Sequence, residues 1–205
     1  MANSATQPKN VSLLKKETMS STSYFVPKDY LKIIEKGSFE WSAPSNIALV
    51  KYWGKKEHQI PANPSISFTL KNCKTITKLT FSKIERTNNF SFDLLFEGKP
   101  KESFRPKIQK FFERIENYLP FLKEYHFTID TQNTFPHSSG IASSASGMAA
   151  LAVNLLSLER QLNPEMTEDF FNQKASFLAR LGSGSACRSI KGEVVIWGNH
   201  QETST

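Results

Sequence analysis

The chain has 205 residues, of which 39% are hydrophobic and 22% charged, so it can bury one good-sized core or one domain plus part of a second. It has no apolar run of the ~18 residues that a membrane helix needs, no signal-peptide core, and two cysteines that fit neither a disulfide framework nor a zinc site, all of which favours the cytoplasm. The net charge of +7 suits a polyanionic ligand, but dispersed lysines and the absence of a nucleic-acid motif favour small polyanions over nucleic acid.

Residues 1–37 are expected to form an extension of the domain that follows. Residues 1 to about 22 are polar and aperiodic, which predicts a segment without regular structure. A short helix is expected to begin near Lys28 and to end before Gly37. We expect this extension to pack on the domain of residues 38–205 without contributing to a site.

Residues 42–56 predict a buried strand followed by a cationic loop. Ile47 and Leu49 indicate the strand, and four candidate phosphate ligands follow it around a glycine: Lys51, Tyr52, Lys55 and Lys56. Ammonium and phenol groups can both donate to phosphate oxygens. A strand end with solvated lysines explains the same residues, and the segment on its own slightly favours that alternative.

Four further elements are expected in the middle of the chain. A strand is expected at 63–70, and the runs 75–82 and 90–96 are expected to pair antiparallel because turn-forming residues separate them. Apolar residues recur at helical spacing between Phe104 and Leu119, which predicts an amphipathic helix. Another strand is expected at 125–131.

Residues 135–150 join a small, polar, glycine-containing stretch to the start of a helix. Apolar residues on one face predict this helix: Met148, Leu151, Ala152, Leu155 and Leu156. A helix N-terminus offers free N–H groups and partial positive charge to a phosphate, and hydroxyl donors stand beside it: Ser138, Ser139, Ser143, Ser144 and Ser146. A serine-rich turn that caps a core helix fits the composition equally well.

A second loop of small residues lies near the end of the chain. Thr167 is expected to cap a helix that runs through Arg180, and the loop 181–189 then leads to Arg188. A guanidinium suits a carboxylate or a phosphate, although a structural arginine is the simpler alternative. A final strand is expected at 191–198.

Three segments, in this order, closely resemble the diphosphomevalonate decarboxylases of the GHMP kinase superfamily: residues 43–55 with Lys-Tyr-Trp-Gly-Lys, residues 138–147, and residues 180–189 with Gly-Ser-Gly-Ser-Ala-Cys-Arg-Ser. The serine-rich segment marks the superfamily, whereas the other two are more specific to the decarboxylases. The similarity runs from about residue 38 to the C-terminus. It implies an α+β fold like domain 2 of ribosomal protein S5, with a ferredoxin-like C-terminal domain missing from this chain.

The resemblance also implies an activity. Enzymes of this family use MgATP to phosphorylate the tertiary hydroxyl of mevalonate 5-diphosphate, which then loses phosphate and carbon dioxide to give isopentenyl diphosphate. The implied substrate-binding residues are Lys51, Tyr52, Lys55, Ser183, Ser185 and Arg188, with Arg188 holding the carboxylate in a catalytic role. The implied ATP-binding residues are Ser138, Ser139, Gly140, Ser143, Ser144, Ser146 and Gly147. Magnesium is expected to arrive with ATP rather than to have its own ligands, and the full-length enzymes are commonly homodimers.

One departure from the family pattern changes the expectation for this chain. The catalytic aspartate of the family lies in a motif of the type Asp-Ala-Gly-Pro-Asn, and the 205 residues contain no such motif. We therefore expect a truncated chain that binds ligands with little or no turnover. Another GHMP small-molecule kinase and a non-catalytic remnant are the alternatives, and the motif at 51–55 together with Arg188 argues against the kinase.

Overall fold

The computed structural model describes residues 22–136 and 140–198 of the chain. Within these ranges there are six strands: β1 (Lys36–Val50), β2 (Ser65–Lys83), β3 (Ser91–Phe96), β4 (Lys99–Pro100), β5 (Tyr125–Asn133) and β6 (Val194–Trp197). The same ranges hold three α-helices: α1 (Arg105–Ile115), α2 (Ser143–Leu162) and α3 (Glu168–Gly182). All six strands belong to one sheet, in the order β1-β2-β5-β3-β4, with β6 also paired to β2. The α+β prediction is confirmed.

Strand β2 is the long strand of the sheet that pairs with three others, β1, β5 and β6. The two strands predicted at 63–70 and 75–82 are one continuous strand, because β1 pairs with it antiparallel along most of its length, from Lys36 opposite Ser82 to Val50 opposite Ile66. On the other edge of β2, β6 pairs with residues 65–68 and β5 with residues 75–83. The end of β2 near Ser65 therefore lies between β1 and β6, the two strands that border the candidate site.

The antiparallel pairing predicted between residues 75–82 and 90–96 is wrong. Strand β5 lies between them, antiparallel to β2 and parallel to β3, with Phe92 opposite Phe127. Helix α1 connects β3 to β5, and a strand–helix–strand connection returns the chain in a parallel direction. The turn residues near 87–89 indicated only that the chain leaves β2, not where the next strand pairs.

The core lies between the sheet and the helices. Along β5, buried Tyr125, Phe127 and Ile129 alternate with more exposed residues, so one face of the strand is covered. Helix α2 packs on β1 and β2, α3 packs on α2, and α1 packs on α3. The predicted cap of α3 is confirmed, since the Phe170 N–H donates to Thr167 Oγ1 at 3.2 Å. No helix in the described part of the chain is long and apolar enough to cross a membrane.

Residues 22–35 do not form the predicted helix at 28–36. A short 3-10 turn covers Thr22–Phe25, and the residues that follow it up to β1 form neither helix nor strand. The N–H groups of Leu31 and Lys32 both donate to the Leu162 carbonyl at 3.0 Å, which satisfies an acceptor at the C-terminal end of α2. The Phe25 ring stacks on Phe177 of α3 at 4.7 Å. Contacts with α2 and α3 thus override the local helical pattern of this segment. The proposed domain boundary at residue 38 stays a prediction.

A buried ion pair joins α2 to α3. Lys174 Nζ donates to Glu159 Oε1 at 2.5 Å and to the Tyr118 carbonyl at 2.9 Å, and the two side chains are 0% and 2% exposed. The Tyr30 hydroxyl approaches the same Glu159 oxygen at 3.5 Å. Burial raises the pKa of Glu159 and lowers that of Lys174, and each charge opposes the shift of the other. The charged state of each group therefore depends on its partner.

Candidate functional site

Arg188 is a buried charged residue in the turn that follows α3. Ser183 ends the helix in an extended conformation, and the 3-10 segment Gly184–Ser189, here named the arginine turn, follows it. Arg188 is only 3% exposed. Its Nη1 donates to Ser65 Oγ at 2.8 Å, and its guanidinium carbon lies 5.4 Å from the Trp197 ring centroid and 6.0 Å from that of Tyr52. A strand of the sheet and two aromatic rings thus enclose the cation.

Arg188 has no carboxylate partner among the residues that the structure describes. The ion pairs in this part of the chain all involve other side chains. Its Nε is buried without a hydrogen-bond partner. Burial lowers the pKa of the guanidinium, yet an arginine stays protonated at neutral pH. A buried, uncompensated cation is costly, and an anionic ligand would remove that cost.

The loop after β1 brings two more predicted residues to Arg188. The Tyr52 ring meets the Trp197 ring edge to face at 4.9 Å, and Lys55 Nζ lies 5.9 Å from the Tyr52 ring centroid. Lys55 is exposed and donates to Gln59 Oε1 at 2.7 Å. A Cβ on Gly184 would lie 3.4 Å from Lys55 Nζ and 3.2 Å from a Trp197 ring atom, so a glycine there permits the close approach. Tyr52, Lys55 and Arg188 therefore share one cluster.

Two polar residues that sequence reasoning missed hold the site loops in place. Ser45 Oγ donates to the Ile141 carbonyl at 2.8 Å, in the loop before α2. Asn46 Nδ2 donates to Ser189 Oγ at 2.8 Å and to the Ser185 carbonyl at 3.2 Å, in the arginine turn. Both residues are buried in β1. A Ser-Asn pair inside the otherwise apolar stretch 43–50 was the available signal, because buried polar groups need partners.

The remaining predicted substrate residues lie at the edges of this cluster. Ser183 is the last residue before the arginine turn, and Ser185 is half-buried within the turn. Lys51 is exposed just before the loop that carries Lys55, and its carbonyl accepts from Asn63 Nδ2 at 3.2 Å. Substrate contacts by all three side chains stay predictions.

The N-terminus of α2 is not capped by a serine. Its N-cap residue is Ala142, in the left-handed region with φ of 32° and without a side-chain cap, and Gly140 before it has φ of 78°. Ser143 and Ser144 are the first two residues of the helix. Ser138 and Ser139 lie outside the described residues. The cap interpretation is therefore wrong for the described part of this segment, and the first turn keeps backbone donors that a phosphate could use.

Ser146 and Gly147 lie inside α2 rather than in the loop. The Ser146 hydroxyl is buried and donates to Thr75 Oγ1 at 2.6 Å, with the Ser143 carbonyl 3.2 Å from the same oxygen. Thr75 Oγ1 in turn donates to Asn133 Oδ1 at 2.8 Å. This chain of bonds fixes the first turn of α2 to β2 and β5. Phosphate contacts by Ser146 and Gly147 stay predictions.

A cavity of about 130 Å³ lies beside the first turn of α2. Its apolar walls come from Phe96, Phe104, Ile108, Ile129, Met148 and Leu151. Its polar lining includes Thr75, Thr77, Lys107, Thr131, Asn133, Ser143 and Ser144. Sequence reasoning missed this cavity, because its walls come from five elements that are far apart in the chain. An apolar cleft with a few convergent polar groups is typical of a small-molecule site.

Cys187 is expected to be unreactive although it stands next to Arg188. Burial raises the pKa of its thiol to about 11, and its Sγ donates to the Gly184 carbonyl at 3.2 Å. Only roughly one thiol in a thousand would be ionised at pH 8, and the thiolate is the reactive form. Alkylation with iodoacetamide at pH 8, followed by peptide mass spectrometry, should label Cys73 well before Cys187. Equal labelling rates in the folded chain would contradict this description of the turn.

In the part of the chain that the structure describes, no group of three or more His, Cys, Asp or Glu side chains could hold a metal ion. The oxygen and nitrogen groups at both candidate ligand sites instead come mainly from Ser, Thr, Asn, Lys and Arg. These groups can hydrogen-bond to phosphate or carboxylate oxygens.

Residues 43–205 match the family described as diphosphomevalonate decarboxylase-like N-terminal domain. A diphosphomevalonate decarboxylase from Debaryomyces hansenii is 38% identical over 178 residues, which are 80% of this chain and 43% of that protein. The crystal structure of mevalonate diphosphate decarboxylase from Staphylococcus aureus has a TM-score of 0.65 and 35% identity, over 80% of this chain and 46% of that one.

A further solved structure carries ligands. The protein named MDDEF, in complex with MVAPP, AMPPCP and magnesium, has a TM-score of 0.63 and 34% identity, over 78% of this chain and 46% of that one. The chain thus spans less than half the length of each of these three proteins.

Proposed function

The chain belongs to the diphosphomevalonate decarboxylase family, and on that premise we propose that it binds mevalonate 5-diphosphate and MgATP for ATP-dependent decarboxylation. Binding of mevalonate 5-diphosphate requires a site for a ligand with two anionic ends, a diphosphate and a carboxylate. Relatives of this chain are named for that reaction, and one solved structure holds MVAPP with AMPPCP and magnesium. The two cysteines and the dispersed lysines favour a cytoplasmic location and small-molecule ligands rather than nucleic acid.

The observation that carries the proposal is the buried, unpaired Arg188. A guanidinium without a carboxylate partner and with a buried, unbonded Nε is suited to receive a carboxylate from a ligand. Lys55 and Tyr52, on the exposed side of the same cluster, are suited to the diphosphate. We assign Ser183 and Ser185 as additional donors because Ser183 directly precedes the turn that carries Arg188 and Ser185 lies within it.

The N-terminus of α2 is the second half of the proposed site. We assign the phosphates of ATP to the first turn of α2, whose N-cap supplies no side-chain acceptor, and the base to the adjoining cavity. The polar lining by Ser143, Ser144 and Asn133 and the apolar walls fit a ligand with an aromatic and a charged part. When bound, MgATP would supply the phosphoryl group that converts the tertiary hydroxyl of the substrate into a leaving phosphate.

The chemical role of Arg188 in this scheme is orientation. Holding the ionised carboxylate fixes the direction of the carbon–carbon bond that must break. The electrons of that bond form the double bond of isopentenyl diphosphate as phosphate leaves and carbon dioxide is released. We therefore propose that the residues of this chain bind and orient the two ligands of the reaction.

Calorimetric titration of the 205-residue chain tests the proposal. Mevalonate 5-diphosphate and MgATP should each bind with one-to-one stoichiometry. A folded chain, shown by its circular dichroism spectrum, that binds neither ligand would contradict the proposal.

A further inference from the structure

We propose that Trp197 is a positioning residue that holds Arg188 and Tyr52 in the arrangement needed to bind an anionic substrate. The inference rests on the proposed function, because it concerns the same site. Neither the sequence pattern nor the resemblance assigned a role to this residue.

The Trp197 ring contacts all the elements that form the anion site. It is the last residue of β6 and is 8% exposed. Its ring lies 5.4 Å from the Arg188 guanidinium and meets the Tyr52 ring edge to face at 4.9 Å. The missing Cβ of Gly184 leaves room for the same ring. One indole therefore sets the spacing between the arginine turn and the loop after β1.

Ser65 holds the guanidinium from a second direction. Ser65 is the cross-strand partner of Trp197 in the β2–β6 pairing. Its hydroxyl donates to the Val50 carbonyl at 2.6 Å, so its single proton is committed and its oxygen must accept from Arg188 Nη1. The strand pairing thus places a fixed acceptor and an aromatic ring together against one cation.

An aromatic ring is a suitable support for this particular charge. A carboxylate in the place of Trp197 would also stabilise Arg188, but it would neutralise the cation before a ligand arrived. A ring quadrupole attracts the cation without cancelling its net charge. Arg188 can then remain buried and still offer a full positive charge to a carboxylate or phosphate.

The contribution comes from the ring rather than from its N–H group. Trp197 Nε1 is buried and has no hydrogen-bond partner among the described residues. The ring is therefore held by packing against Arg188, Tyr52 and Gly184, and not by a hydrogen bond of its own. Trp197→Phe keeps an aromatic face, whereas Trp197→Leu removes it.

A double-mutant cycle with Arg188→Gln tests the role, with mevalonate 5-diphosphate as the ligand and calorimetry as the measurement. Trp197→Leu should weaken binding at least tenfold, and Trp197→Phe should weaken it less than about threefold. In the Arg188→Gln background, Trp197→Leu should cause a clearly smaller loss, because only the positioning of Tyr52 then remains to be lost. MgATP binding should be unchanged in every variant, which controls for loss of the fold.

The possible outcomes separate this inference from the proposed function. If the unmodified chain fails to bind mevalonate 5-diphosphate, the proposed function fails and this role falls with it. If the unmodified chain binds, two results overturn the positioning role alone. One is equal binding by Trp197→Leu and the unmodified chain, and the other is the same loss from Trp197→Leu with and without Arg188. A Phe variant as weak as the Leu variant would likewise contradict support by the aromatic ring.

Discussion

Replacing Lys174 with methionine is expected to destabilise the fold by about 3–5 kcal/mol, the usual cost of breaking a buried ion pair from one side. Lys174 Nζ is bonded to Glu159 Oε1 and to the Tyr118 carbonyl, and it is fully buried between α2 and α3. Its removal leaves the Glu159 carboxylate in the core without a cation. The second oxygen of that carboxylate, Oε2, already has no partner in the structure. A loss of this size is a large share of the ~5–15 kcal/mol that stabilises a typical protein.

Urea unfolding followed by circular dichroism measures this effect. Lys110→Met, on the exposed side of α1, is the matched control and should change stability by less than about 0.5 kcal/mol. The double variant Glu159→Leu/Lys174→Met should recover most of the loss, because it leaves no unpaired charge. A single variant as stable as the control, or a double variant no better than the single, would contradict an energetic role for the pair.

The stability lost in Lys174→Met should depend on pH in a defined direction. Burial already raises the pKa of Glu159, and losing Lys174 removes a charge that lowers it. A folded-state pKa above the unfolded value means that stability is lost as pH rises through the folded pKa. The deficit of Lys174→Met should therefore shrink as pH is lowered towards the ordinary pKa of a glutamate.

Local sequence signals predicted the elements that depend on local contacts. Thr167 was identifiable as a cap because its hydroxyl bonds only three residues away. The apolar face from Met148 onwards marked α2 for the same reason, since helical periodicity is visible within one segment. The clustering of Tyr52, Lys55 and Arg188 could be anticipated only through the family resemblance, because these residues are far apart in the chain.

Contacts between distant residues account for the wrong predictions. Residues 28–36 have a helical pattern, but the segment extends along α2 and α3, where it satisfies the Leu162 carbonyl and buries Phe25 against Phe177. Strand β3 pairs with β5 rather than with β2, because the α1 crossover carries the chain to a parallel neighbour.

The residues that hold the site in place, Ser65, Trp197 and Asn46, could not be predicted because their contacts also join distant parts of the chain. Ser65 and Trp197 become partners only through the β2–β6 register. Asn46 meets the arginine turn across 139 or more residues of sequence. Such side chains have no local signature beyond being polar or aromatic within a strand, so their roles depend on the assembled sheet.

Substituting glutamine for Arg188 is expected to weaken binding of mevalonate 5-diphosphate about 100-fold or more, roughly 2.7 kcal/mol. The physical reason is that glutamine keeps a hydrogen-bond donor near Ser65 but removes the buried charge that awaits an anion. The same change should leave the ligand-free fold as stable as before or more stable, because an uncompensated buried cation is lost. A residue that lowers stability and raises affinity is expected at a binding site.

Calorimetric titration of mevalonate 5-diphosphate into the unmodified chain and Arg188→Gln is the most direct test of the anion site. Arg160→Gln, which alters a partly exposed arginine paired with Glu168, is the matched control. We expect one-to-one binding by the unmodified chain and the control, and a loss of about 100-fold for Arg188→Gln with MgATP binding unchanged. Equal affinity in all three chains would contradict the assignment of Arg188 as the ligand-binding cation.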